Sequence, residues 1–464
     1  FRSLLNDKNL DSFYYGYNTI NCEVLSFLLQ GNKNIKNVDL SGSAGGSLRN
    51  DGFRSLLHVL STNNCGLSNL YLGRYQGHNC DNEDIETFFS GNLSLNSLFI
   101  TGGISLSVDD PLLGLAIRIP SITTLDLSGC FTSQPKAAQA ILNIVPHLKT
   151  HKNIKELYLN GNHIGNRGAE LLSEAIIEND SLSILSLRGC SIGPSGLISL
   201  SEAISSCENL ERVFITDKPS SIASGQPSST SVCEKFAEMI QSNQSLIELD
   251  ISRQYLGESS IKIIEALENN STLQILHMRN NRFIASKLLE KFFIVNKSIT
   301  SLDISHNDLV DENTSDTISW KEQLEEDQML QKLSLPWLDK SNITKELLES
   351  IAKNKCIKWL EFSNPIQDIN DISNLFTENN TIEIIENLES PPKGLYIIHS
   401  IILSKPSLRR LHWVNMDPME LKKITQEFQK LDKSINTLHF SFTVTTPQNQ
   451  LEHLTTLSEI LPTK

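Results

Sequence analysis

The chain offers eleven histidines and eight cysteines for chemistry, and their spacing decides what they can do. A zinc site needs three or four such ligands brought together, usually announced by short CxxC or HxxxH spacings. Here the cysteines stand singly at 22, 65, 80, 130, 190, 207, 233 and 356, and His277, His306, His412 and His439 fall in or beside different extended segments. HExxH, GxxxxGK(S/T) and GxSxG are absent, so metalloprotease, phosphate-loop and hydrolase-elbow chemistry have no anchor. Gly161-Asn-His-Ile-Gly165-Asn-Arg-Gly168 imitates a glycine-rich loop without its Lys-Ser/Thr ending, and turn geometry accounts for its glycines. The expectation is a chain without enzymatic activity, cofactor or metal.

The residues that remain recognise rather than react. Tyr71, Phe99, Tyr158 and Phe214 place large rings at corresponding positions along the chain, and Asp126, Asp250, Asp303 and Glu361 form an acidic series at the same positions. Arg188, Arg212, Arg253 and Arg279 interleave with it, and Trp337 and Trp359 come from adjacent segments further on. Exposed aromatics and arginines are the usual anchors of protein interfaces. On a parallel sheet the same residues can instead pack or pair laterally with their neighbours.

These positions are set by a phrase that returns about every 27 residues: an apolar residue, two variable ones, an apolar one, one variable, then another apolar. Its starts are Ile35, Leu67, Leu95, Ile122, Ile154, Leu182, Leu210, Leu246, Leu273, Ile299, Leu330, Ile357, Ile382, Leu408 and Ile435, fifteen in all. Within the phrase, residues on either side of the middle apolar position must point away from the core. Between phrases the apolar period changes from 2 to about 3.6, as a strand gives way to a helix. Residues 168–177, 196–204, 260–267 and 287–294 show it.

LYLNGNHIGNRGAELLSEAI (157–176) and LSLRGCSIGPSGLISLSEAI (185–204) resemble the ribonuclease-inhibitor subfamily of leucine-rich repeats. The resemblance covers nearly the whole chain and implies an α/β solenoid. Strands stack about 4.8 Å apart while packed helices need about 8–10 Å. A helix layer outside a strand layer must therefore fan out, giving a horseshoe of about fifteen repeats with parallel strands on the concave face and helices on the convex face.

One solenoid domain over residues 35–443 is expected, with a helical cap at 1–34 built around Val24, Leu25, Phe27, Leu28 and Leu29. A second cap at 444–464 is built around Leu451, Leu454, Leu457 and Ile460. The net charge of −14 argues against a nucleic-acid partner. No run of 18 apolar residues exists, so no membrane span is expected. Cys130 and Cys190 stand where Asn162, Asn281 and Asn307 stand in other units, as buried reduced thiols at the turn leaving the strand. Such thiols point to a cytoplasmic environment. The NxS/T triplets at Asn92, Asn243, Asn270, Asn296, Asn342 and Asn379 are read as turn chemistry before strands rather than as glycan acceptors.

The leading expectation is a monomeric, non-enzymatic scaffold that binds a folded protein through its concave face. Tyr71, Phe99, Tyr158, Arg188, Arg212, Phe214, Asp250, Arg279, Asp303, Trp337 and Trp359 are its contact residues. An inserted segment at 216–231, rich in Ser, Pro and Gly, should project from the rim. The sequence also resembles, in its Asn, Lys, Ile and Ser content and degenerate later repeats, effectors that intracellular bacteria of the Legionella kind inject into host cells. A second resemblance, to GTPase-activating proteins of the Ran class, implies a catalytic arginine at a strand end, and Arg74 is the position that matches. The long acidic tail of that class is missing here.

Overall fold

The computed structural model describes residues 10–14, 27, 29–32, 34–39, 58, 66–73, 94–101, 117–131, 133–217, 230–310, 319–338, 341–364, 375, 377–389, 407–414 and 437–441. The chain forms two compact units, Phe1–Asp250 and Ile251–Lys464.

In the first unit the strands are β1 (Ser12–Tyr14), β2 (Asn37–Asp39), β3 (Asn69–Gly73), β4 (Ser97–Thr101), β5 (Thr124–Asp126), β6 (Glu156–Tyr158), β7 (Ile184–Ser186), β8 (Arg212–Phe214) and β9 (Glu248–Asp250). Each pairs in parallel with the next in chain order. Helices α1 (Gln134–Thr150), α2 (Gly165–Glu178), α3 (Pro194–Ser205) and α4 (Thr230–Ser242) pack side by side in the same order.

The second unit carries β10 (Ile275–His277), β11 (Ser301–Asp303), β12 (Lys332–Ser334), β13 (Trp359–Glu361), β14 (Ile384–Glu389), β15 (Arg410–Val414) and β16 (Thr437–Ser441), again parallel and consecutive. Helix α5 (Ile261–Ala266) precedes β10, and α6 (Ala285–Val295), α7 (Lys321–Glu326) and α8 (Asn342–Lys353) lie between the strands that follow.

A strand follows each of the fifteen phrase starts read from the sequence, and the register explains why the phrase works. Leu125, Leu157, Leu185, Val213 and Leu249 lie opposite one another on successive strands, each with no exposed surface. Each is covered in part by its neighbours in the adjoining repeats, so no repeat can bury its apolar residues alone. The helices add the second wall: α2 presents Ala169, Leu172, Ala175 and Ile176 inward.

Both turns of the repeat are held by side-chain amides. Leaving the strand, Asn162 donates Nδ2 to the carbonyls of Leu127 and Leu159 (2.9 Å each), and its Oδ1 accepts from Phe131 N at 2.8 Å. Cys130 and Cys190 take that place with buried reduced thiols whose Sγ donates to Ile100 O and Leu159 O. Entering the strand, Asn243 donates Nδ2 to Ile204 O and Cys207 O and accepts from Ser245 N and Leu246 N. Asn270, Asn296 and Asn379 accept in the same manner. These NxS/T asparagines are turn residues, as expected; Asn342 opens α8, and Asn92 lies outside the described residues.

Two features differ from the sequence expectation. Strand β1, pairing Phe13 with Val38, precedes the N-terminal helical residues, where a purely helical cap was expected. Leu10-x-x-Phe13 is a degenerate phrase whose third apolar place holds Tyr15, which hid it from a strict pattern. Gly168 does not serve a turn: it lies within α2, where a Cβ would collide with Ile164. Gly161 and Gly165 do sit at positive φ, 68° and 62°. The expected 444–464 cap, residues 218–229 of the insertion, and Val24, Leu25, Leu28 and Arg74 lie outside the described residues.

Candidate functional site

Each strand turns two side chains to its open face, one on either side of the buried middle residue, and parallel register lines these up as two rows across the sheet. In the first unit one row runs Tyr71, Phe99, Asp126, Tyr158, Ser186, Phe214, Asp250. The other runs Thr124, Glu156, Ile184, Arg212, Glu248.

Tyr71 and Phe99 are opposed residues of β3 and β4, and their rings stack at 4.1 Å with planes 6° apart. Two strands about 4.8 Å apart leave little choice but stacking for rings side by side. Both stay half-buried, so part of each ring meets solvent. Tyr158 donates its hydroxyl to Glu156 Oε2 at 3.1 Å. Burial, then the charges of Glu156 and Asp126, push its phenol up to about 12. Burial also raises the Asp126 carboxyl, although Ser128 N donates to it at 2.9 Å.

Arg188, just beyond β7, spans β8 entirely. Its guanidinium lies 4.1 Å above the Phe214 ring and reaches Asp250 Oδ2 at 3.1 Å on β9. Phe214 is consequently only 9% exposed and Asp250 only 7%. The exposed ring expected at Phe214 is thus covered, and the outer surface there belongs to Arg188. Arg212 approaches Glu248, its opposed neighbour, at 3.8 Å. The interleaved arginines and acids are partners of one another in this unit, while among the described residues Asp126 and Glu156 form no ion pair.

In the second unit, His277 Nδ1 is 3.6 Å from Asp303 Oδ2. Burial raises the Asp303 carboxyl, but donation from His277 and Ser305 outweighs it and the pKa falls below the ordinary value. Lys332 lies 3.8 Å over the Trp359 ring on the adjacent strand. Glu361 accepts from Ser334 and Asn387. Trp337 is 47% exposed in the turn after β12, its Nε1 at 3.2 Å from His306 Nδ1, and Arg279 contacts the other nitrogen of His306. Trp337 and Trp359 therefore occupy different places, one in a turn and one on the strand face.

Glu156, Lys332 and His306 are the site residues that pattern reading passed over. The first two stand before the middle apolar residue, a position the phrase already marks as outward. Among the described residues no group of three or more His, Cys, Asp or Glu is arranged to hold a metal, and no helix is long and apolar enough to cross a membrane.

A leucine rich repeat family model matches residues 150–173, 178–201 and 295–312. Pig (Sus scrofa) ribonuclease inhibitor is 24% identical over 300 residues, 62% of this chain and 55% of that protein. NACHT, LRR and PYD domains-containing protein 3 of Macaca mulatta is 24% identical over 249 residues, covering 53% of this chain and 23% of its own length. NACHT, LRR and PYD domains-containing protein 12 of Homo sapiens is 25% identical over 297 residues, 62% and 24% respectively. The chain thus spans about half of the first of these relatives and about a quarter of the other two. With a strand behind every phrase and the repeat family matched in both units, the chain is an α/β leucine-rich repeat solenoid similar to ribonuclease inhibitor.

Proposed function

We propose that the chain is a non-enzymatic scaffold whose open strand face binds a folded protein. The observation that carries this is the row Tyr71, Phe99 and Tyr158: three half-buried rings on consecutive or near strands, beside the carboxylates of Asp126 and Glu156. Rings held by stacking and hydrogen bonding lose little entropy on binding, which is the property of an interface anchor. Arg188 and Arg212 extend the patch, with Phe214 and Asp250 supporting Arg188 and Glu248 pairing with Arg212. In the second unit Asp303 and Trp359 on the strand face, and Arg279 and Trp337 in the turns beyond the strands, are further candidate contacts. The similarity to ribonuclease inhibitor, which by its name inhibits a protein, supports the reading.

The test begins with affinity purification of a partner from cell extract, followed by titration against variants. Tyr71→Ala and Tyr158→Ala should each weaken binding about tenfold while the thermal midpoint is kept. Unchanged affinity in both rejects this face. The reduced thiols of Cys130 and Cys190 support action in the cytoplasm, and the resemblance to injected bacterial effectors supports that of a host cell; a translocation-reporter fusion that stays in the producing cell would reject the latter.

A further inference from the structure

Along the rim of the second unit, Arg253, Asn280, His306 and Trp337 each stand two residues after the apolar residue that closes a strand phrase: Ile251, Met278, Ile304 and Leu335. In the first unit the same place holds Gly129, Gly161 and Gly189 at φ 70°, 68° and 67°. Arg253 and His306 adopt that left-handed conformation too, at φ 64° and 56°. A side chain with a Cβ is strained there, and only Gly or Asn visits it readily. The second unit keeps an arginine and a histidine where glycine would be more stable, so the side chains themselves are what the position retains.

Those side chains meet with donors facing donors. Arg279 Nη2 lies 2.5 Å from His306 Nε2, and Trp337 Nε1 lies 3.2 Å from His306 Nδ1. Guanidinium and indole N–H groups only donate, whereas a neutral imidazole accepts at one nitrogen and donates at the other. His306 can therefore satisfy one of the two, and its own N–H then points at a donor. Arg279 Nε is buried with no acceptor. The charge of Arg253 reaches His306 along with that of Arg279; Asp303, already engaged by His277 and Ser305, acts on it in the opposite sense. Neither Arg253 nor Arg279 has a carboxylate partner among the described residues.

We propose that this rim is an oxyanion site that takes a phosphate group, with Arg253 and Arg279 as its charged donors and the Nε2–H of His306 completing it, Trp337 setting that tautomer by donating to Nδ1. An oxygen seated between Arg279 and His306 accepts from both and removes the conflict. Two guanidinium charges match a phosphate dianion better than a singly charged carboxylate. This site does not depend on the partner reading of the strand face. Free phosphate and a phosphate monoester share the required chemistry.

Calorimetric titration of the full chain at low ionic strength, with inorganic phosphate, O-phosphoserine and acetate, tests it. Phosphate should bind, acetate at least tenfold more weakly, and equal affinity for the two would overturn the phosphate assignment. O-phosphoserine binding as well as phosphate assigns a monoester, and its failure beside phosphate binding assigns the free ion; both uphold the site. Arg253→Gly should weaken phosphate binding about tenfold or more while leaving the thermal midpoint unchanged or raised, because glycine suits φ 64°. Arg279→Gln should weaken it similarly. No phosphate binding by the unaltered chain, or binding that both variants retain, overturns the proposal.

Discussion

At the scale of single residues, the chain shows how one structural place accepts two chemistries. Asn162 joins three backbone groups at the turn leaving the strand, whereas the Cys190 thiol, a weak donor, reaches one carbonyl closely. Asn162→Ala leaves buried backbone groups unpaired and should cost about 2–4 kcal/mol, read by urea denaturation. Cys190→Asn should stay within about 1 kcal/mol of the unaltered chain. A larger loss there would mean that the thiol's size, not its hydrogen bond, is what the place requires. Asp303 gives a pH signature. Its folded pKa lies below the ordinary 3.8, so its carboxylate stabilises the fold above that value, and the contribution is lost as pH falls through the folded value. Asp303→Asn should therefore lower the thermal midpoint at neutral pH, and the gap should close in acid; a gap independent of pH would assign the effect to packing.

At the scale of elements, adjacent repeats touch through small residues on the helices as much as through strands. A Cβ at Gly196, in the first turn of α3, would lie 2.8 Å from Ile192 Cγ2 and 3.0 Å from both Ala169 Cβ and Asn166 Cα on α2. Gly196→Ala, ordinarily favourable inside a helix, should here destabilise by about 1–3 kcal/mol through overpacking. A gain in stability would show that α2 and α3 can separate without penalty. On the strand side, Arg188 clamps β7 to β9 across Phe214. Arg188→Ala should cost about 1 kcal/mol, its half-exposed head being partly screened by water. The same change should increase the accessibility of the Phe214 ring.

At the scale of the molecule, stability in a repeat array is a sum of repeat terms and nearest-neighbour interfaces, so a local defect acts mainly nearby. All four tryptophans, at 320, 337, 359 and 413, lie in the second unit, while Asn162 lies in the first. Asn162→Ala should thus broaden the circular-dichroism transition while moving the tryptophan-fluorescence midpoint less. Coincident shifts of both probes would mean that the whole chain unfolds as one cooperative body.

The periodic phrase alone determined every strand after β1, the helical character of residues 168–177, 196–204, 260–267 and 287–294, and the asparagine and cysteine places at the turns. It could do so because in a solenoid burial depends on position within the repeat, and the repeat is local in sequence. Outward positions were legible for the same reason, including Tyr71, Phe99 and Tyr158. What lies over an outward residue was not. Phe214 is covered by an arginine 26 residues earlier that pairs with an aspartate 36 residues later, and His306 meets Arg279 from the repeat before it and Trp337 from the repeat after it. Such contacts depend on rotamers and reach across strands, and the left-handed backbone at Arg253 and His306 depends on the turn they share with glycines elsewhere. A repeating pattern fixes where a side chain starts, and only the tertiary structure decides where it ends.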